Sequence, residues 1–413
     1  MERVILHIDM NKFYATVEQM LNPALRNKAI AVCGSAEEHH GIVLTASAEA
    51  KAKGVKTGMA NWEARQACPG LIVIPPHYDQ YVKYSKLARE IYHRYADCVE
   101  PYGMDECWAD ISQLCRSFTD AEAIANEIRE TIKNELGLTV SIGVSFNKVL
   151  AKLGSDMKKP DAVTVLPPDA WKERVWCLPA SDLLYVGTHT MRKLMDRAIY
   201  TIGDLANYPV DGLSYMFGKN GIMLWRYANG MDAASVMPKD YEPTVKSVSR
   251  GITCSCNLKT SEEVWKVMLA LSQDVGHQLR EYGLAATGVR VYIRESDIHR
   301  GLCKQRRIIY PTQSPMEIAQ AARILFLDNY GWVNPVRSVC VSTYELVPRD
   351  SPFQVNLFED ANARVRRQKL DDCIDDIRRR FGKRSIYAAS LMGDLHMPDD
   401  GRHEVQMPGM MYG

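Results

Sequence analysis

A chain of 413 residues, 46% hydrophobic and 24% charged, is long enough for two to four separate cores and too ordinary in composition for a fibrous or disordered protein. The formal net charge of +1 excludes a globally basic nucleic-acid binder, so any basic surface has to be local. No apolar run is long enough for a membrane span, "MERVILHIDMNKFY" lacks the pattern of a secretory signal, and the eleven Cys are scattered without a CxxC; reduced thiols, a cytoplasmic location and no membrane partner are expected. The ten His show no HExxH or zinc-type Cys/His spacing, so a structural metal is not expected.

From the N-terminus, "RVILHID" reads as a strand ending in Asp9, followed by helical spacing in "FYATVEQML". "KAIAVCG", "GIVLTAS" and "LIVIPP" read as strands, with helical "AEAKAKGV" after the second. A helix is predicted over 81–96, with Tyr84, Leu87, Ala88, Ile91 and Tyr95 on one stripe. A second helix is predicted over 120–135, then strand "LTVSIGVS" and helix "NKVLAKLGSDM", closed by "KKP". This alternation predicts an α/β domain through about residue 165, with an insertion near 12–74. Residues 166–232 read as short helices only, and "PKDYEPTV" (238–245) as a linker. Strands and two long helices from 246 to 349 predict a compact α+β domain. Beyond Pro348 come a loop, "FQVNLF" and a helix over about 363–381 carrying Leu370, Cys373, Ile374, Ile377 and Phe381 on one stripe.

The chemistry begins with "YGMDECWADI", where Asp105 and Glu106 stand side by side among apolar residues. Burying either carboxylate unpaired is costly. In a regular strand the two would face opposite ways, but Gly103 permits a turn that brings both to one edge. Asp9 ends a strand of its own; capping the next helix is the plainer role for a lone Asp there. Taken with the doublet, it offers a third oxygen donor, and three carboxylates on neighbouring strand ends suit Mg²⁺. A pair of such ions is a general solution for phosphoryl transfer.

"HIDMNKFYATVEQ", "GIVLTASAEAKAKGVKTGM", "YGMDECWADI" and "VSIGVSFNKVLAKLGSDMKKP", in that order and spacing, resemble the Y-family of translesion DNA polymerases over residues 1 to about 350. The resemblance implies an α+β multidomain, right-hand polymerase: palm (1–11 and 75–165), fingers (12–74), helical thumb (166–237), linker (238–245), α+β little finger (246–349) and a C-terminal tail (350–413). It implies template-directed nucleotidyl transfer from dNTP to a primer 3′-hydroxyl, with low fidelity and low processivity. Asp9, Asp105 and Glu106 match the family's catalytic, metal-binding carboxylates, with the Met10 carbonyl as a further ligand and two Mg²⁺ per site as cofactor. Phe13, Tyr14, Leu44, Thr45, Lys51 and Lys159 match nucleotide-binding positions. Tyr14 matches the steric gate, a core aromatic on the first helix being the alternative; for Lys159 the alternative is a solvated helix-end lysine.

The sequence also departs from the family. Ala48 and Lys51 stand where a Tyr and an Arg usually bind the triphosphate, and Lys51 lacks the planar fork of Arg. Gly103 replaces the usual Ser before the catalytic Asp, and Leu44 falls where a smaller residue is frequent. "LYVGTHTMRKLMDRAIYTIGDLA" resembles a worn helix-hairpin-helix in which Gly187 and Thr188 would meet DNA phosphates; two helices packed only for stability is the alternative.

Residues 244–310 carry eleven Lys/Arg against six Asp/Glu. Lys246, Arg250, Arg290, Arg294, Lys304 and Arg306 fall on predicted strands, where alternate ones can share a sheet face toward the DNA backbone or toward solvent. "QVNLF" (Gln354, Val355, Asn356, Leu357 and Phe358) resembles the peptide by which bacterial polymerases dock on the sliding clamp, with packing onto the following helix as the alternative. The expected partners are primer-template DNA, dNTP and the sliding clamp, with the chain a monomer. A non-catalytic clamp- and DNA-binding adaptor would be expected to lack the three carboxylates. The basic domain and the clamp-like peptide argue against another two-metal enzyme, such as a nucleotidyl cyclase.

Overall fold

The computed structural model describes residues 3–34, 41–239, 241–297, 301–354 and 361–397. The chain divides into two compact units at Pro243/Thr244, inside the polar stretch read as a linker. The architecture is α+β and multidomain. Of the clamp-like peptide, Gln354 is described and exposed, whereas Val355, Asn356, Leu357 and Phe358 lie outside the described residues. Among the described residues no helix is long and apolar enough to cross a membrane.

The first unit runs β1 (Ile5–Met10), α1 (Phe13–Leu21), β2 (Ile30–Cys33), β3 (Val43–Ala46), α2 (Ala48–Ala52), α3 (Asn61–Ala67), β4 (Ile72–Ile74), α4 (Tyr78–Tyr92), β5 (Val99–Pro101), β6 (Glu106–Asp110), α5 (Phe118–Leu136), β7 (Val140–Ser145), α6 (Lys148–Met157) and β8 (Val163–Leu166). Short helices follow: α7 (Trp171–Val175), α8 (Thr188–Met195), α9 (Ile202–Asn207), α10 (Val210–Phe217) and α11 (Lys219–Ala228). The main sheet has the order β5-β6-β1-β7-β8. Every pairing in it is antiparallel except β7 with β8. This corrects the α/β expectation: strands do alternate with helices along the chain, but β1 lies between two antiparallel neighbours rather than in a parallel wound sheet. A smaller sheet, β3-β2-β4, forms within the 12–74 insertion.

The apolar stripe expected on the 81–96 helix is shifted. The helix begins at Tyr78, and it buries Tyr81, Ser85, Ala88, Ile91 and Tyr92, leaving Tyr84, Leu87 and Tyr95 half-buried. Ser85 is inside because its hydroxyl donates to the Met104 carbonyl at 2.5 Å, a bond that ties α4 to the acidic loop. The helix over 61–67 carries too little apolar periodicity to be read from the sequence; Glu63 caps it by accepting from the Ala60 amide at 2.9 Å.

The two faces of the main sheet are covered differently. Leu6, Ile8 and Cys107 pack into the core shared with α4 and α5. On the other face α6 lies against β1 and β7, closer than ordinary side chains allow. A Cβ on Gly143 would sit 1.9 Å from the Ala151 carbonyl oxygen and 2.5 Å from the Ser155 amide. Backbone cannot yield as a flexible side-chain tip can, so this contact fixes how near α6 comes to the strand ends.

The second unit contains β9 (Ser247–Leu258), α12 (Ser261–Glu281), β10 (Leu284–Glu295), β11 (Gly301–Thr312), α13 (Pro315–Asn329), β12 (Val336–Pro348) and α14 (Ala361–Phe381). Its sheet, β11-β10-β12-β9, is fully antiparallel, with α12 and α13 on one face over Val289, Val291, Ile293, Val339 and Val341.

The apolar stripe of the last helix, which the sequence leaves free to dock on the preceding domain or on another partner, has Ile374 and Ile377 half-buried and its other members exposed. Leu370 is 57% exposed and Phe381 74% exposed. The helix docks by its polar face. Asp375 accepts from Arg280 Nε at 2.5 Å and Nη2 at 3.0 Å, Arg349 reaches Asp372 at 2.7 Å, and Arg378 reaches Gln273 at 2.7 Å. Burial tends to raise the Asp375 pKa, but His277 and Arg280 outweigh it and hold the carboxyl at about 2.

The β7–α6 contact yields the first prediction. Gly143→Ala forces α6 off the sheet; overpacking costs about 1–3 kcal/mol, occasionally more, and backbone is the obstacle here. Thermal denaturation should show a melting temperature lowered by several degrees or a chain that does not fold. A variant melting within a degree of the parent would refute the packing argument.

Candidate active site

The β1–β6 register pairs Asp9 with Glu106 and His7 with Trp108. Partners in an antiparallel pair point to the same face, so His7, Asp9 and Glu106 all project toward α6. Asp105 precedes β6, and its carbonyl accepts from the Met10 amide at 3.0 Å, which holds the doublet against the end of β1. Gly103 has φ +98°, a left-handed conformation of the kind that the glycine permits. The three carboxylates predicted from the strand ends are thus neighbours, each lying within the electrostatic field of the others.

Cations of α6 and the turn after it hold two of these acids. Lys159 donates to Asp9 at 2.5 Å and to Asp156 at 2.7 Å. Lys152 donates to Glu106, and His7 Nε2 stands 3.1 Å from the same oxygen. His7 is fully buried, and its Nδ1 is 2.8 Å from Ser155 Oγ, which itself donates to the Lys152 carbonyl at 2.7 Å. Glu106 is consequently held at about 2, the His7 and Lys152 contacts overcoming the upward push of burial.

Among the described residues Asp105 has no such partner. Burial first, then the charges of Asp9 and Glu106, push its carboxyl from the ordinary 3.8 up to about 7. Burial likewise raises Asp9, against the pull of Lys159. Among the described residues no three His, Cys, Asp or Glu side chains already stand as a closed metal site. The donor set nevertheless fits a hard divalent cation, being all oxygen, with negative charge that the neighbouring lysines leave uncompensated at Asp105.

The other candidate residues divide around this cluster. The Tyr14 ring stacks on Tyr81 with centroids 4.1 Å apart and planes 9° from parallel. Its hydroxyl donates to Met104 Sδ at 3.4 Å, beside Asp105, so the ring is half-buried and fixed next to the acids. Tyr81 is itself held by a hydroxyl donated to Glu18. Phe13 is 2% exposed in the core, which leaves only its backbone to meet a ligand. Leu44 and Thr45 lie half-buried on β3; Ala48 and Lys51 are exposed on α2. Gly187 caps α8 in extended backbone, with Thr188 exposed after it; the left-handed turn of that hairpin is made by Tyr185, φ +70°.

The basic residues of the second unit do not form one set. Arg290 and Arg294 pair with Gln305 and Gly301 on the open sheet face, whereas Arg250, Lys304 and Arg306 are in register with Val341, Val291 and Val289 on the helix-covered face. Strand alternation separates them, and the edge strands β9 and β11 leave these three partly or fully exposed. Lys246 precedes β9 and is exposed. Arg307, which the sequence does not single out, lies on the open face and is paired with Glu345 at 3.0 Å.

Sequence reasoning also passes over His7, Lys152, Ser155 and Asp156. A signal for part of this exists: Lys148, Lys152, Ser155 and Lys159 recur at three- and four-residue spacing along "NKVLAKLGSDMKK", one face of a helix.

Both the sequence and the fold have known counterparts. Residues 8–156 match the impB/mucB/samB family and residues 245–357 its C-terminal domain. The chain is 46% identical to a DNA polymerase IV of Acetivibrio thermocellus over 394 residues, 95% of this chain and 98% of that protein. It is 36% identical to DNA polymerase IV 1 of Bacillus subtilis over 386 residues, 93% and 92% of the two chains. A solved Y-family DNA polymerase chimera superposes with a TM-score of 0.74 at 22% identity, covering 84% of this chain and 99% of the other.

The unpartnered acid gives a prediction with a definite sign. Because the native pKa of Asp105 lies above its unfolded value, the native state binds the extra proton between about pH 4 and 7, and the stability this carries is lost as pH rises through that window. At about 1.4 kcal/mol per pKa unit, the effect is worth a few kcal/mol. In chelator at pH 8, Asp105→Asn should therefore melt several degrees above the parent, and near pH 5 the gap should shrink. A variant less stable at both values would contradict it.

Proposed function

The chain belongs to the Y family of DNA polymerases and is a DNA-directed DNA polymerase of the translesion kind; on that basis we propose which residues carry each step. The β5-β6-β1-β7-β8 sheet with its helices is the palm (1–11 and 75–165), 12–74 the fingers, 166–237 the thumb, 238–245 the linker, 246–349 the little finger and 350–413 a tail. Asp9, Asp105, Glu106 and the Met10 carbonyl would hold two Mg²⁺. When bound, these ions supply Lewis-acid stabilisation of charge on the attacking and leaving oxygens of phosphoryl transfer. The observation that carries this reading is the register pairing of Asp9 with Glu106, with the Asp105 carboxyl pushed to about 7 beside them.

The protein's own groups do the rest. Asp105, its carboxyl pushed up to about 7, would hold the metal as its carboxylate, while His7 and Lys152 keep Glu106 ionised and oriented. Lys159, now on Asp9, stands where the triphosphate's negative charge would arrive. The Tyr14 ring, immobilised by Tyr81 and Met104, forms the wall against which a 2′-hydroxyl would collide. Template and primer are gripped through phosphates by Gly187 and Thr188 in the thumb. In the little finger Arg290 and Arg294 do so from the open sheet face, and Lys246, Arg250, Lys304 and Arg306 from its edges. The Gln354–Phe358 segment supplies the sliding-clamp anchor, which tethers an otherwise distributive enzyme.

Primer extension with single dNTPs and Mg²⁺ tests the assignment. Asp9→Asn, Asp105→Asn and Glu106→Gln should each lose extension by orders of magnitude while binding DNA normally, and Tyr14→Ala should admit ribonucleotides. Substantial extension by any of the three acid variants would refute the metal-site assignment. DNA affinity should fall steeply between about 50 and 200 mM salt and ignore sequence; a flat response would sink the phosphate-grip assignment. Deleting 354–358 should spare extension on short templates and abolish stimulation by the clamp.

A further inference from the structure

Lys12 begins α1, two residues after the Met10 carbonyl, with φ 50° and ψ 42°. This left-handed backbone costs a non-glycine residue on the order of 1–2 kcal/mol. Strain of this kind persists where the surroundings impose it, and it clusters at functional sites. Lys12 is half-buried, and among the described residues it has no ion pair or hydrogen bond from its ammonium. Lys51, on α2, is likewise unpaired among them. Lys12 follows Asp9 by three residues and Lys159 is bonded to Asp9, and both lie near enough for their charges to act on Lys51. Desolvation by the surrounding protein, then the charges of Lys12 and of Lys159, hold the Lys51 pKa below its ordinary value, against the pull of Asp9. Of the three, Lys159 is already paired, on Asp9 and Asp156. The start of α1 adds to this positive charge: no side chain caps it and its first turn holds no acid.

Three lysines thus bring positive charge to the neighbourhood of the carboxylates, two of them without a partner among the described residues, a setting that suits a polyanion. The position that would offer an aromatic hydroxyl in the fingers is Ala48, and the fork of an Arg is reduced to the point charge of Lys51. We infer that Lys12 is a third cation of the triphosphate site, contacting the phosphates of the incoming nucleotide together with Lys51 and Lys159 and making good the grip that Ala48 cannot give. The inference rests on the nucleotide-binding reading above and deepens it. Lys12 is here a binding residue whose contribution falls on nucleotide capture, not on the chemistry.

The test compares the full-length chain with Lys12→Ala and Lys12→Arg in three measurements. In primer extension at varied dNTP, Lys12→Ala should raise KM for dNTP about tenfold, the size of one charge-assisted contact, with kcat within about twofold and DNA affinity unchanged. Lys12→Arg should recover most of the loss. Without DNA or metal, inorganic tripolyphosphate should raise the melting temperature of the parent more than that of Lys12→Ala. Free of any ligand, Lys12→Ala should melt at or above the parent temperature, since the substitution relieves repulsion. An unchanged KM, or equal stabilisation of parent and variant by tripolyphosphate, would overturn the assignment. So would a raised KM accompanied by a lower melting temperature and no recovery in Lys12→Arg, which would make Lys12 a mere shaper of the helix entry. Failure of the parent itself to extend primers would strike the polymerase reading instead, and the tripolyphosphate comparison would still decide the role of Lys12.

Discussion

Three carboxylates crowded at the tips of β1 and β6 govern much of the first unit. Like charges in a poorly hydrated place repel, and the structure answers with cations on two acids and a carboxyl pushed up to about 7 on the third. The arrangement is costly for a protein that only needs to fold. It becomes intelligible if the cluster exists to receive positive charge that the chain itself does not provide. The cost is local, at the ends of β1 and β6, while Leu6, Ile8 and Cys107 on the face away from α6 pack into an apolar core.

What delivers the balancing cations is a backbone contact. Gly143 lets α6 lie against β7 without an intervening side chain, and Lys148, Lys152, Ser155 and Lys159 follow one line along that helix and its exit. Lys148 reaches Glu100 at 2.6 Å, Lys152 reaches Glu106, and Lys159 reaches Asp9. Glu100 also accepts from the Met237 amide at 2.9 Å, so the same row of charges fixes the chain as it leaves the helical segment. Packing and electrostatics are therefore one device here: the absence of a single Cβ sets where the charges fall.

The acids themselves are legible in the sequence, because Asp9 and the Asp105–Glu106 doublet sit at strand ends inside spaced motifs. Tyr14 is singled out by the same motifs, but its place beside Asp105 appears only in the fold. The supports of the acids are not legible either. His7 lies inside a strand where a polar residue reads as an interruption, and only pairing reveals that it shares a face with Glu106. The basic strands of the second unit show the same limit in reverse. Charge content is visible, but a single-residue difference in register sends Arg290 and Lys304 to opposite faces. On α14 the apolar stripe is visible in the sequence, but the contact that seats the helix, the buried Arg280–Asp375 pair, is not.

The most direct trial of the acid cluster as a cation site is to titrate the free protein with Mn²⁺, a spectroscopically visible substitute for Mg²⁺, at pH 6 and pH 8, following bound metal by electron paramagnetic resonance and released protons in weak buffer. Binding should be tighter at pH 8, shed close to one proton per site at pH 6, and disappear in Asp105→Asn. Binding that is insensitive to pH and survives in that variant would show that the metal sits elsewhere and that the crowded acids serve some other end.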